Sequence, residues 1–219
     1  MTNKSRIPSG LKIFLAAFSL TVIVYNSVHH GVYSLLYFCN VALFLSTFGI
    51  CVERALPVSM AAVGVMLILS LWSLDLLLTI ADLSPLRMTE FMLSDSLPPF
   101  KKILALFHVW LPFVLLFAVS RLGYDKRALA WWTLLTCALL LVSYLFLPRP
   151  PAPADDPTMS VNVNFVFGLN MAGPQQRMPE LVWLAGMMIA LPLLAFLPTH
   201  VAFKRWLAGT PKAARLPAR

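Results

Sequence analysis

The sequence predicts an all-α integral membrane protein, with residues 1–219 forming one domain of six transmembrane helices and both termini in the cytoplasm. Only 12% of the 219 residues are charged and 59% are hydrophobic, whereas soluble domains carry about 25% charged residues. The mean hydropathy is +0.80, and several apolar runs approach the ~20 residues that cross a hydrocarbon core. The predicted spans cover residues 10–28, 32–52, 57–81, 101–120, 128–147 and 180–203.

The first apolar run follows three basic residues, Lys4, Arg6 and Lys12, as the core of a secretory signal would. It ends in "YNSVHHG", which has no small-x-small cleavage pattern, and it is long enough to span. We therefore expect it to be a retained first helix.

The distribution of lysine and arginine predicts the orientation. With the N-terminus inside, 12 of these residues lie in cytoplasmic segments and 5 in outer segments, which agrees with the positive-inside rule. Lys101 and Lys102 are exceptions on the outer side. The net charge of +8 lies at the termini and in short loops, so no nucleic-acid-binding face is expected.

Two outer loops are long. The first has the sequence "DLSPLRMTEFMLSDSLPPFKK", in which Pro98 and Pro99 suit the start of the fourth helix. The second, residues 148–180, begins with the proline-rich stretch "PRPPAPADDP". Alternation then places Val161, Val163, Phe165 and Phe167 on one side, which predicts a short strand or an extended flap over the helix ends.

Three potentially reactive side chains are expected at one depth, about 10 Å below the outer surface at 1.5 Å per residue. They are Cys39, Asp75 and His108, on the second, third and fourth spans. The cytoplasmic half offers only hydroxyl and thiol groups of the kind that pack helices together. Further polar or aromatic residues near the outer level are Tyr25, Asn26, His29, His30, Asn40, Trp72 and Tyr144.

The three reactive residues suggest a catalytic constellation. A carboxylate in hydrocarbon costs at least a few kcal/mol, so Asp75 needs a partner. Paired with His108, it would orient an imidazole whose other nitrogen deprotonates Cys39 as the nucleophile. Pro112 would kink the helix and leave the His108 carbonyl without its helical donor. Substrate-binding candidates are Asn40, which would donate to an oxyanion, and Tyr25, Asn26, Trp72 and Tyr144.

Other hypotheses fit the same residues. Cys39 is suited to core packing, as are Cys51 and Cys137, and an Asp75–His108 pair would equally be a structural clamp between two helices. A zinc site built from His29, His30, Asp75 and His108 is the weaker metal alternative, and otherwise neither metal nor cofactor is expected. A solute pathway lacks polar groups in the inner half. Membrane lipid is the expected partner, and no protein partner can be named.

Two short motifs resemble a known family. "YFCNVAL", with Cys39 and Asn40, and "LFHVWLP", with His108, resemble the bacterial YwaF-like six-helix membrane proteins. They also resemble the related vertebrate transmembrane acyltransferases, in which a Cys and a His are implicated in moving acyl chains between phospholipids. The whole chain further resembles proteobacterial multi-pass membrane proteins of this length.

The resemblance implies a location in the bacterial inner membrane and lipid acyl transfer or acyl hydrolysis. Two features differ from the family: residues 36–38 read Leu-Tyr-Phe where the family has Pro-Leu-His, and the outer loop 148–180 is additional. The alternative is a non-enzymatic membrane protein whose polar layer is a structural clamp or a binding pocket for a lipid or a protein partner.

Overall fold

The computed structural model describes residues 5–85, 87–95 and 97–208, and these residues contain helices but no strand. The α-helices are α1 (Ser9–His29), α2 (Phe38–Cys51), α3 (Ala55–Ile80), α4 (Pro99–Ala105), α5 (Phe107–Leu122), α6 (Ala128–Phe146), α7 (Glu180–Leu191) and α8 (Leu197–Ala208). Short 3-10 turns cover Val32–Leu36, Glu90–Met92 and Val163–Phe165, and a π-helical turn, Pro192–Phe196, joins α7 to α8.

Proline defines where several helices begin. Pro8, Pro98 and Pro179 adopt extended backbone conformations directly before α1, α4 and α7. Pro99 occupies the first position of α4, where its missing N–H has no helical partner to lose. The predicted turn into the fourth span is therefore confirmed.

Within the described residues, five stretches of helix are long and apolar enough to cross a membrane, so the chain is a multi-pass membrane protein. Two of them combine consecutive helices, α4 with α5 and α7 with α8. The five stretches are Ser9–His29, Ala55–Ile80, Pro99–Leu122, Ala128–Phe146 and Glu180–Leu207.

The second predicted span differs from a continuous helix. Gly31 has φ of 76° and a 3-10 turn follows it, and Tyr37 is then non-helical, with ψ of 138°. The α-helix that remains, α2, has 14 residues, about 21 Å at 1.5 Å per residue against a hydrocarbon core of about 30 Å. A complete sixth span is therefore not confirmed among the described residues.

The core is arranged around α3, which packs against α2, α5, α6 and the π-helical turn. Gly64 allows α6 to approach closely, because a Cβ at this position would lie 1.8 Å from Cε2 of the buried Trp132. Other fully buried side chains of this cluster are Leu15, Leu43, Ile50, Leu69, Leu111 and Leu115.

We call "the loop face" the end of the bundle where α1, α3 and α6 end and α2, α4 and α7 begin. Residues 81–98 and 147–179 connect the helices there. At the opposite end, Lys12 Nζ donates to the Glu53 carboxylate at 2.7 Å. Burial raises the pKa of Glu53, but hydrogen bonds from Lys12, Ser5 and backbone N–H groups outweigh it and lower the pKa to about 2.

The loop after α6 forms neither the predicted strand nor an extended flap. Asn162, Asn164 and Phe165 have φ of 49°, 59° and 60°, and they fold the loop into a 3-10 turn over the helix ends. Asn162 and Asn164 are buried together with Val163. Strand geometry fails here because the asparagine side chains, rather than a neighbouring strand, supply the hydrogen bonds.

Candidate functional site

Asp75 lies one turn from the end of α3, and its carboxylate is bound by the loop that follows. Thr89 donates to Oδ2 through its backbone N–H and its hydroxyl, both at 2.9 Å, and the Ser84 hydroxyl donates to Oδ1. The side chain is buried, at 5% exposure. These donors reach both oxygens of the carboxylate, and no direct hydrogen bond joins Asp75 to His108 among the described residues.

His108 is oriented by its own helix instead. Its Nδ1 lies 2.7 Å from the carbonyl oxygen of Ala105, which can only accept, so Nδ1 carries the hydrogen. Trp72 stacks on the imidazole with centroids 4.7 Å apart. Trp72 therefore contacts the proposed base itself, and Asp75, three residues along the same helix, contacts the loop.

The proline in α5 produces a cross-helix contact. The helix continues through Pro112, which has no N–H for the carbonyl of His108. The Ser73 hydroxyl on α3 lies 3.3 Å from this carbonyl oxygen and 2.8 Å from that of Leu69. The acceptor that the sequence suggested would be free thus faces a hydroxyl donor.

Cys39 and Asn40 begin α2. Cys39 is a half-buried free thiol packed against the core. No hydrogen bond joins it to His108 within the described residues. Asn40 is buried and its amide nitrogen donates to the carbonyl of Ser34 at 2.7 Å. This bond uses one of the two N–H donors of the Asn40 amide.

A lysine that the sequence analysis did not select lies at the centre of the predicted layer. Lys101 Nζ donates to Asn26 Oδ1 at 3.0 Å and lies 5.7 Å from the centroid of the Tyr25 ring. Lys101 is half-buried, and no carboxylate pairs with it in the part of the chain that is described. The sequence marks Lys101 only as a basic residue on the predicted outer side, contrary to the positive-inside rule.

His30 attaches the second loop to the end of α1. Its Nδ1 donates to the carbonyl of Thr158 at 3.0 Å, and the backbone N–H of Ser160 donates to the His30 carbonyl at 2.9 Å. Burial lowers the pKa of His30 below its ordinary value, although the hydrogen bond to Thr158 opposes the shift. His29 points elsewhere and contacts Tyr25, with ring centroids 4.5 Å apart.

Asn164 attaches the same loop to α2. Its Oδ1 accepts from the backbone N–H of Phe38 at 2.9 Å, and its Nδ2 donates to the carbonyl of Leu36 at 3.0 Å and the hydroxyl of Ser143 at 3.3 Å. The residue that precedes α2 contributes no side-chain cap. Asn164 therefore caps α2 from 126 residues away, a role that sequence spacing cannot reveal.

Tyr144 belongs to a separate anchor at the start of α7. Its hydroxyl donates to Glu180 at 3.2 Å, and Arg149 forms two hydrogen bonds with the same carboxylate at 2.9 and 3.1 Å. Arg149 also lies over the Phe167 ring, 4.7 Å from its centroid. These contacts hold the loop against α6 and α7. Tyr144 therefore lies in a different cluster from Tyr25 and Asn26, with which the sequence analysis placed it as a substrate-binding candidate.

A polar pocket of about 380 Å³ opens beside the end of α3. Arg87 in its wall forms ion pairs with Asp82 at 3.2 Å and Glu90 at 3.3 Å. Its lining consists of Thr79, Asp82, Ser84, Arg87, Glu90, Leu93 and Ser94.

The described residues contain no group of three or more His, Cys, Asp or Glu side chains placed to hold a metal ion. The zinc alternative is therefore wrong as a cluster, because its four side chains, His29, His30, Asp75 and His108, face different surroundings. His30 and Asp75 face different loops, and His108 faces Trp72.

Comparison of the chain with family models, with curated proteins and with solved structures gives no match. The resemblance to YwaF-like proteins and transmembrane acyltransferases stays a prediction.

Proposed function

We propose that this chain is a lipid-binding membrane protein whose loop face holds the phosphate of a phospholipid headgroup on Lys101. The supporting observation is the half-buried ammonium of Lys101, which has no carboxylate partner among the described residues and one hydrogen-bond acceptor, Asn26. An ammonium carries three N–H donors, which leaves two for phosphate oxygens. Hydrogen bonds of this charge-assisted kind are about twice as strong as neutral ones.

The surroundings of Lys101 suit a lipid that arrives from the bilayer. Phe100 and Ile103 of α4 are exposed, as is Leu106 directly after it, and they would contact acyl chains. Further from the loop face, Phe18 and Phe14 of α1 lie 5.0 and 5.4 Å from Trp110 of α5. This aromatic wall below Lys101 offers an apolar surface for a lipid tail.

The remaining polar layer has a supporting role in this proposal. Asp75 holds the loop after α3, and Asn164 and His30 hold the loop after α6. Asp75 and Asn164 bond to backbone or hydroxyl groups of this chain, and His30 bonds to the Thr158 carbonyl through its Nδ1. We therefore assign these three residues to a clamp that keeps the helix ends around Lys101 in place.

Lipid binding by matched lysine variants tests the proposal. The purified protein is titrated in detergent with a phosphatidylglycerol that carries a fluorescent tail. Lys101→Gln should weaken binding about 10-fold or more, because a hydrogen bond to a charged group contributes about 1.5–3 kcal/mol. Lys102→Gln removes the same charge from the next position of the helix and should stay within about twofold of wild type. Equal affinities for wild type and Lys101→Gln would overturn the proposal.

Acyl transfer is a second candidate, favoured by the positions of Cys39 and His108 in the first turns of α2 and α5. A phospholipid held on Lys101 would bring its ester carbonyls towards these side chains. The Cys39 sulfur would attack the carbonyl carbon while His108 accepts the thiol proton. The ester C–O bond then breaks, and the departing lysolipid oxygen takes that proton from His108. Attack on this thioester by the hydroxyl of a second lipid, or by water, would then release the acyl chain from Cys39.

A labelled acyl chain tests this candidate. If Cys39 is the nucleophile, the protein should acquire a hydroxylamine-sensitive label from a lipid with a radioactive acyl chain. Cys39→Ser should lose the label, and Cys137→Ser should keep it. A Cys39→Ser protein that transfers acyl chains at the wild-type rate would remove the acyl-transfer hypothesis and leave the lipid-binding proposal intact.

A further inference from the structure

We infer that the Lys101 site selects a phospholipid whose headgroup combines one anionic phosphodiester with an uncharged hydroxyl donor, as phosphatidylglycerol does. This inference rests on the proposed function and adds a second contact to it. The second contact is His30, whose Nε2 atom is buried and has no hydrogen-bond partner in the part of the chain that the structure describes.

The tautomer of His30 shows that its Nε2 needs a hydrogen-bond donor. Its Nδ1 faces the carbonyl oxygen of Thr158 at 3.0 Å, and because a carbonyl only accepts, Nδ1 carries the hydrogen. In the neutral ring the other nitrogen, Nε2, is then an acceptor. A buried acceptor without a donor is unfavourable, so this atom calls for a ligand that donates a hydrogen bond.

His30 and Lys101 flank the same aromatic ring. The His30 centroid lies 6.0 Å from that of Tyr25, and the Lys101 ammonium lies 5.7 Å from it. A headgroup that reaches both groups around this ring would offer its phosphate to Lys101 and a neighbouring donor to His30. The hydrogen bonds of Lys101 to Asn26 and of His30 Nδ1 to Thr158 use other donors than these contacts would.

The charge of the site favours a hydroxyl over an ammonium as that donor. Lys101 contributes one positive charge, which a single phosphodiester neutralises. An ethanolamine headgroup would add a second cation near Lys101. Asp156, the carboxylate that interacts with His30 electrostatically, is exposed to solvent, where its attraction for that cation is screened. A glycerol headgroup supplies the donor without this repulsion.

A pair of lipids with equal charge tests the inference on the unmodified protein. Phosphatidylmethanol has the same phosphodiester as phosphatidylglycerol but no hydroxyl. Wild-type protein should bind phosphatidylglycerol about 2- to 10-fold more tightly, which is the worth of one hydrogen bond between uncharged groups. Phosphatidylethanolamine should bind more weakly than either. Soluble glycerol phosphate should not displace the lipid, because it lacks the acyl chains that would contact the aromatic wall.

The His30→Asn variant tests whether His30 causes the preference for phosphatidylglycerol. The asparagine amide can replace the Nδ1–H donor to Thr158, but it has no atom at the position of Nε2. The variant should lose the preference for phosphatidylglycerol and keep wild-type affinity for phosphatidylmethanol, whereas His29→Asn should change neither affinity.

Several outcomes would overturn the inference. They are equal binding of phosphatidylglycerol and phosphatidylmethanol by wild type, tighter binding of phosphatidylethanolamine, equal weakening of both anionic lipids in His30→Asn, and displacement by soluble glycerol phosphate. Each leaves the lipid-binding proposal standing as long as Lys101→Gln lowers the affinity for both anionic lipids. If Lys101→Gln binds both as wild type does, the proposed function itself fails.

Discussion

Replacement of Asn164 removes a side chain that joins three segments of the loop face. Its hydrogen bonds to Phe38, Leu36 and Ser143 are 2.9, 3.0 and 3.3 Å long, and the residue is only 2% exposed. The groups that lose these bonds therefore stay buried in the variant. A buried polar group without its partner costs about 1–3 kcal/mol. Because some of these groups will recruit water, we expect Asn164→Ala to lower the free energy of unfolding by about 2–4 kcal/mol.

Two further variants separate the contribution of the Asn164 side chain to stability from that of its backbone conformation. Asn164 has φ of 59°, a conformation that costs alanine about 1–2 kcal/mol and glycine almost nothing. Asn164→Gly should therefore retain most of the loss while relieving the backbone strain. Asn170 is exposed and bonds only within the loop and to Asn162, so Asn170→Ala should stay within about 0.5 kcal/mol of wild type.

The assay is unfolding in mixed micelles with increasing dodecyl sulfate, followed by tryptophan fluorescence. Trp183 is a local reporter, because its indole N–H donates to the carbonyl of Phe165 at 2.9 Å within the same loop. The clamp is refuted if Asn164→Gly unfolds within about 0.5 kcal/mol of wild type. It is also refuted if Asn170→Ala and Asn164→Ala are equally destabilised.

Three further predictions test packing, protonation and orientation. Gly64→Ala should destabilise the bundle by about 1–3 kcal/mol because its Cβ collides with Trp132. In the control Gly186→Ala the new Cβ meets nothing within 4 Å, so this variant should unfold as wild type does. Equal unfolding midpoints for the two variants would contradict the packing. The folded-state pKa of His30 is lowered, so its contribution to stability is complete above its unfolded pKa of about 6.5 and declines below it. Proteolysis of residues 148–160 should therefore accelerate from pH 7 to pH 5 in wild type but not in His30→Asn, and a pH-independent rate in wild type would contradict this. A cysteine placed at Asp156 should react with an impermeant thiol reagent on intact cells, and labelling only after lysis would reverse the predicted orientation.

The sequence alone was sufficient for the features that depend on one segment at a time. The predicted spans at 10–28, 57–81 and 128–147 agree within two residues with α1, α3 and α6. Hydrophobic length is a local property, and proline marks a helix start through its own ring. The depth of Asp75 below the loop face is local in the same way, since it follows from counting residues along one helix.

The tertiary structure alone decided which side chains meet at that depth. Equal depth on three helices leaves the rotation of each helix open, and α3 turns Asp75 towards Thr89 and Trp72 towards His108. The loop itself was the missing partner for Asp75. A loop hydroxyl and backbone N–H satisfy a carboxylate at a helix end, and apolar periodicity carries no information about them.

The break before α2 and the site around Lys101 were decided in the same way. The apolar run 32–52 has the composition of one helix, but the turn at Val32–Leu36 and the cap from Asn164 shorten it to α2. Lys101 stands out in the sequence only as a charge on the predicted outer side. That no described carboxylate pairs with it becomes visible only when α1 and α4 bring Asn26 and Tyr25 against it, because pairing between distant segments is a property of the assembled bundle.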